Sequence, residues 1–306
     1  MPSLPRRAAG GDPHTLGLLA VAAAALLWAA AAVVARSLFD DGVEPLELVQ
    51  ARAYLTLGGL ALLRPWRRAP KGEVSPRVVI ALGLAIALVN ATYYIAIERL
   101  PVAVALVIQY TAPALVVAYV ALGRKRMPSP EILGALVIAI AGVALAAEVG
   151  SGDLGAVDTV GLAAASASAV LFATYTLLSE RTERAFGTVG AMFRAFIWAA
   201  VFWVLFQSTQ GWPSALLEAD NLLRVLFVGL GGTLAPFLLY VWGLPRVQVE
   251  RAVIAASLEP PAGAVIAWIW LDQVLSGLQI LGGLLVLGAV VTLQVRRRRV
   301  IPPEHP

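Results

Sequence analysis

The chain has 306 residues, 59% of them hydrophobic and 14% charged, with a formal net charge of +4. Soluble domains carry about 25% charged residues, and the deficit runs along the whole length, which excludes a soluble domain with a single anchor. Cysteine is absent and the only histidines are His14 and His305, near the ends; this excludes disulfide frameworks, thiol chemistry, and His-ligated metal sites or His-based catalysis within the apolar region.

A bilayer span needs about 20 apolar residues. Arg6 and Arg7 precede an apolar run from Leu16 to Ala35, longer than the core of a signal peptide, so it reads as a retained first span. Further spans are expected at 46–63, 78–97, 101–122, 131–149, 159–179, 188–207, 222–243, 249–270 and 276–295, ten in all. Pro76, Pro101 and Pro130 stand where helices begin, a position at which the missing N–H costs nothing. Trp66 and Trp212 lie between spans and read as interfacial anchors.

The charges test this division. With the N-terminus inside, 18 of the 23 basic residues fall on one side: among them Arg67, Arg68 and Lys71, then Lys125 and Arg126, then Arg181 and Arg184, and finally Arg296 to Arg299. The opposite loops are acidic, with Asp40, Asp41 and Glu44, then Glu148, Asp153 and Asp158, then Glu218 and Asp220. The positive-inside rule then predicts a multi-pass cell-membrane protein with both termini cytoplasmic. The basic balance is that of cytoplasmic loops and implies a lipid bilayer rather than nucleic acid.

The chain also repeats itself. Residues 131–145 align without gaps on 279–293, Gly17 to Trp28 aligns on Gly161 to Phe172, and Arg52-Ala53-Tyr54 recurs as Arg194-Ala195-Phe196. An odd number of spans per copy makes the second copy enter from the opposite side. The expected fold is therefore all-α, with ten transmembrane helices as two inverted five-helix repeats. The divisions are a cytoplasmic tail at 1–15, a first repeat at 16–149, a second at 159–295 and a basic cytoplasmic tail at 296–306.

Ordered along the chain stand Pro45 with Arg52; Tyr94-Ile95-Ala96-Ile97 before Pro101-Val102-Ala103; Thr111-Ala112-Pro113; Gly134 with Gly142-Val143; Glu259-Pro260-Pro261; and Gly282 with Gly288. As an ordered set they resemble the drug/metabolite transporter superfamily, EamA-domain type, across nearly the whole chain. The stretch from Tyr93 to Val117 is similar to the branch that exports amino acids such as threonine and homoserine. The resemblance implies two repeats of five helices and transport of a small metabolite. The chain departs from the family where Gly-Glu often ends the fourth and ninth helices, reading Gly123-Arg124 and Asp272-Gln273.

Ionisable groups inside a membrane are costly and tend to face the bundle interior or water. Glu259 is the one acid well inside a span. Pro260 and Pro261 follow it and remove two backbone donors, so the helix is expected to break there. Broken helices are how secondary transporters build midplane sites. Glu259 reads as a site for a substrate amine or a proton, or as a structural carboxylate capping the break. Arg52 and Arg194 read as substrate-carboxylate or gating residues, or as buried or snorkelling structural groups. Arg194 is kept among the cavity candidates and Arg52 is read as structural. Asn90 and Tyr94, four apart on one helix face, join Trp28, Gln109, Tyr175 and Tyr240 as candidate cavity lining. Pro113 and Pro236 join the proline pair as helix breaks or gates.

The function expected is a secondary transporter, an exporter, of a small organic metabolite such as an amino acid, working by alternating access between the repeats. Coupling is to protons through Glu259 or absent, and the chain acts as a monomer or homodimer. No cofactor or metal is expected, and the lack of a P-loop argues against ATP drive. A lipid or polyprenyl-carrier flippase stays open as the alternative. A membrane enzyme is disfavoured because clustered catalytic groups at one depth are missing.

Overall fold

The computed structural model describes residues 12–64, 72–99, 105, 108–125, 127–146, 158–210, 219–271 and 276–295. The expectations placed on the tails 1–11 and 296–306, on Trp66, Arg67, Arg68, Lys71, Pro101, Arg126, Glu148, Asp153, Trp212, Glu218, Asp272 and Gln273 lie outside these residues. Among the described residues every regular element is helical and there is no strand.

The first helices start on proline. Helix α1 is Pro13–Asp40, α2 is Pro45–Leu62 and α3 is Pro76–Arg99. Proline's fixed φ suits the first helical turn and its missing N–H is one the helix would leave unpaired. Asp12 caps α1 by accepting from the Thr15 N–H at 3.4 Å. At 28 residues, α1 is about 42 Å long, more than the roughly 30 Å of a bilayer core. Among the described residues four segments are long and apolar enough to cross a membrane: Pro13–Asp40, Pro76–Arg99, Thr159–Thr209 and Asp220–Gly243.

Helices α4, Ala112–Arg124, and α5, Pro130–Ala146, follow. Helix α6 runs from Thr159 to Gln210 with one non-helical residue, Gly187, at φ 67° and ψ 165°. The sequence predicts a loop between spans ending at 179 and starting at 188. Instead the polar stretch from Glu180 to Arg184 stays helical, with an ion pair between those two residues at 2.7 Å, and the turn is concentrated at Gly187, whose φ favours glycine. The two arms fold back on each other. Ser168 donates to the Val89 carbonyl of α3, while the Ala195 carbonyl lies under Gly83 of the same helix. On a straight helix residues 168 and 195 would stand about 40 Å apart, whereas 83 and 89 are about 9 Å apart. At the start of α6, Asp158 accepts from the Gly161 N–H at 2.9 Å and pairs with Arg99 at 3.3 Å. These contacts, the Gly161 N–H first, hold its carboxyl below the usual carboxylate range. The cap is therefore present above that range and lost as acid titrates through the lowered value.

Helix α7, Ala219–Leu226, continues as a π-helical segment, Phe227–Leu234, and then as α8, Ala235–Gly243. Pro236 explains the wide turn: it cannot donate to the preceding turn and its ring crowds the carbonyl there, which the i→i+5 winding relieves. Helix α2 fills the carbonyls of that segment from the side, with Thr56 donating to Gly229 O at 3.1 Å.

The expected break at Glu259 occurs one turn earlier than the prolines. Helix α9 is Val249–Ala256 and α10 is Glu259–Leu271. Ser257 and Leu258 bond back three residues, to Ile254 and Ala255, and the ladder resumes at Ala262. Pro260 cannot serve the Ala256 carbonyl, so the helix yields upstream of it. The first half does the same at the corresponding place. Pro113 cannot serve Gln109, Thr111 bonds back to Ile108, and α4 starts afresh at Ala112. Helix α11, Gly277–Val295, closes the bundle against α5, with Gly142 over the Gly282 carbonyl. Small residues allow such close approach where lipid offers helices no hydrophobic drive to associate.

Candidate functional site

The two helix breaks meet. The Tyr110 hydroxyl, at the break before α4, donates to Glu259 Oε2 at 2.6 Å and lies 3.4 Å from the Ala256 carbonyl that Pro260 leaves without a partner. One hydroxyl proton serves the shorter bond. Next to this junction lies a cleft of about 550 Å³, counting the part open to solvent. It is lined by Trp28, Ala31 and Ala32 of α1, Arg52 of α2, Val89, Asn90, Tyr93 and Tyr94 of α3, Gln109, Phe172 and Tyr175 of α6, Phe237 of α8, and Glu259.

Arg52 is 6% exposed. Its Nε donates to Thr233 Oγ1 at 2.7 Å, Nη1 makes a short hydrogen bond to the Tyr94 hydroxyl, and the guanidinium carbon lies 5.4 Å from the Tyr94 ring centre. Thr233 in turn donates to the Val228 carbonyl at 2.7 Å inside the π-helical segment. Arg52 thereby joins α2, α3 and the π-helical segment through neutral partners. Its other terminal nitrogen, Nη2, bonds to no described residue. A smaller void of about 230 Å³ shares Arg52 and Asn90 with the cleft and is otherwise lined largely by apolar groups, among them Phe196 and Trp203.

The remaining wall is aromatic. Trp28 meets Phe237 edge-on at 5.7 Å and Tyr240 at 5.4 Å, and Phe172 meets Tyr175 edge-on at 5.1 Å. Such contacts hold large, rigid surfaces in place. The Tyr175 hydroxyl is buried with no hydrogen-bond partner among the described residues. Asn90 spends its amide N–H on the Ile86 carbonyl of its own helix at 2.8 Å, which leaves its oxygen for the cleft. Gln109 bonds to no described residue.

The structure brings Trp28, Asn90, Tyr94, Gln109, Tyr175 and Glu259 together on one cleft. Tyr240 stands behind this wall, fully buried, sharing a hydrogen bond with Thr176 at 3.1 Å. Arg194, read as a cavity candidate, is not among the residues that line this cleft. Its Nη1 donates to Gly190 O one turn back, at 3.0 Å, and its guanidinium lies 4.3 Å from the Phe186 ring centre. Both partners are local, so the side chain curls along its own helix. Arg52, read as structural, is the arginine on the cleft. Tyr93, Phe172 and Phe237 line it as well, and Tyr110 holds Glu259. Phe172 carried a signal, because it occupies the repeat position of Trp28. Tyr110 carried none beyond its place next to Thr111. Of the prolines, Pro113 is the second residue of α4, Pro236 the second of α8, and Pro260 and Pro261 follow Glu259 at the start of α10.

Comparison with known proteins gives a family, two relatives and a solved structure. The model of the EamA-like transporter family matches the chain twice, over residues 15–147 and 159–294. The threonine/homoserine exporter RhtA of Salmonella typhimurium strain SL1344 is 29% identical over 273 residues, covering 87% of this chain and 88% of the relative. Its Escherichia coli K12 counterpart is 28% identical over 277 residues, covering 88% and 89%. A solved crystal structure superposes with a TM-score of 0.76 at 21% identity, covering 94% of this chain and 99% of its own, which supports the fold alone.

Proposed function

The chain belongs to the EamA-like transporter family, and on that premise we propose that it is a secondary transporter that exports a small organic metabolite, an amino acid or a close relative of one. The substrate sits in the cleft between two inverted five-helix repeats, with both termini cytoplasmic, and reaches either side by alternating access. One observation carries this reading: a carboxyl and a buried guanidinium face the same aromatic-walled cleft inside the helical bundle, where two broken helices meet. Intramembrane ionisable groups in such a place mark substrate or ion pathways.

Glu259 supplies a simple coupling device. A carboxyl holding a proton cannot also hold an ammonium group, so substrate and proton take turns on one side chain. Outward export is then exchanged for inward protons. Tyr110 steadies the carboxyl in both states, because its hydroxyl donates to a carboxylate and accepts from a carboxylic acid.

Counterflow of labelled L-threonine in proteoliposomes tests the substrate class. The protein is expected to exchange it, and unlabelled L-homoserine is expected to compete, while lipid headgroups and polyprenyl phosphates do not. No counterflow with any amino acid, or inhibition by the lipids alone, would replace the exporter reading with a flippase.

A further inference from the structure

Arg52 and Glu259 line one cleft, yet among the described residues they form no ion pair. Each is fastened to its own neutral partners. Arg52 is fixed by Thr233 and the Tyr94 hydroxyl, and Glu259 by Tyr110. Those partners come from different helices and hold the two groups apart. Each group also keeps unspent capacity. Nη2 of Arg52 has no described acceptor, and the second oxygen of Glu259 has no described donor. A buried guanidinium without a carboxylate carries a desolvation cost that an anionic ligand group offsets. A carboxyl at a helix break is equally short of donors, and an ammonium group supplies them.

We propose that Arg52 and Glu259 are the two poles of a zwitterion site, Arg52 taking the α-carboxylate of a free amino acid and Glu259 its α-ammonium group, so that the protein selects substrates by their backbone groups before their side chains. The amide of Gln109 and the oxygen of Asn90, both unspent on the same wall, are left to read a polar side chain. The aromatic face of Trp28, Phe172 and Phe237 receives the apolar part of the ligand. This assignment rests on the transport reading above and adds to it which group of the substrate each residue holds. It also accounts for the asymmetry of the repeats: Arg194, the counterpart of Arg52, has a local carbonyl in place of a ligand.

The test uses isosteric probes on the purified full-length protein. L-Threonine is compared with L-threoninamide, which lacks the carboxylate charge, and with 2,3-dihydroxybutanoate, in which a hydroxyl replaces the ammonium. The wild type is expected to bind L-threonine roughly tenfold to a hundredfold more tightly than either analogue, the size of a charge-assisted hydrogen bond. Arg52→Gln brings the threonine-to-amide ratio close to one and leaves the other ratio in place. Glu259→Gln does the reverse. A purely structural role for either residue lowers all three affinities together and leaves the ratios as they were; that result in folded variants overturns the proposal. Should Arg52→Gln not fold, Arg52→Lys carries the test through a partial fall in the amide ratio alone, since lysine keeps the charge and loses the planar fork. A wild type that binds no L-threonine overturns the transport reading itself, a result distinct from unchanged ratios.

Discussion

Glu259→Gln in proteoliposomes removes flux driven by a pH gradient while exchange at saturating substrate persists without pH dependence. The substitution keeps size and one acceptor oxygen and takes away the exchangeable proton. The helix break is set by Pro260 and Pro261 and by the three-residue bonds of Ser257 and Leu258, none of which involves the carboxyl, so the site survives the change. Tyr110 keeps an acceptor in the glutamine oxygen. The loss is thus one of coupling and not of folding, which a wild-type melting temperature in detergent establishes independently. Flux driven by a pH gradient at the wild-type rate in the variant would assign proton movement to another group or to none.

Gly83→Val is expected to have the largest effect on stability. A Cβ at this position would lie 2.4 Å from the Ala195 carbonyl oxygen and 2.5 Å from Trp198 Cβ. The first obstacle is backbone and cannot swing aside, so α3 and the second arm of α6 must separate. Overpacking costs about 1–3 kcal/mol and more where a side chain has no room to turn, and here it opens the contact on which α3 rests. Gly134 is the control, because a Cβ there meets nothing within 4 Å. Thermal unfolding of the purified protein in detergent is expected to show a marked loss for Gly83→Val and little change for Gly134→Val. Equal melting temperatures would mean that α3 does not pack on α6 in this way.

The residues show what a sequence reading of such a chain reaches. Helix starts at Pro76 and Pro130 are local matters of backbone chemistry and were legible; those at Pro13 and Pro45 follow the same chemistry but were not singled out. The break beside Glu259 was legible too, though its position one turn upstream follows from which carbonyls the prolines fail to serve. The polar segment between the arms of α6 was less legible, since charged residues continue a helix beyond the membrane as readily as they leave it. Arg52 and Arg194 mark the limit. They sit in the same repeated triplet, and sequence symmetry gives them equal standing. Their roles part because Thr233 and Tyr94 stand 181 and 42 residues from Arg52, whereas Gly190 lies four residues from Arg194. Contacts at that range depend on how the two halves close on each other, which residue periodicity does not encode. The Tyr110–Glu259 bond, across 149 residues, was hidden for the same reason.

The claim on which the rest depends is that the cleft is the path of the substrate, and the absence of native cysteine makes it directly accessible to chemistry. Ala32 lines the cleft. A protein carrying Ala32→Cys as its sole thiol is expected to react with a small hydrophilic thiol reagent, to lose L-threonine counterflow on modification, and to react more slowly when L-threonine is present. Complete modification of that cysteine with counterflow unchanged would contradict the account.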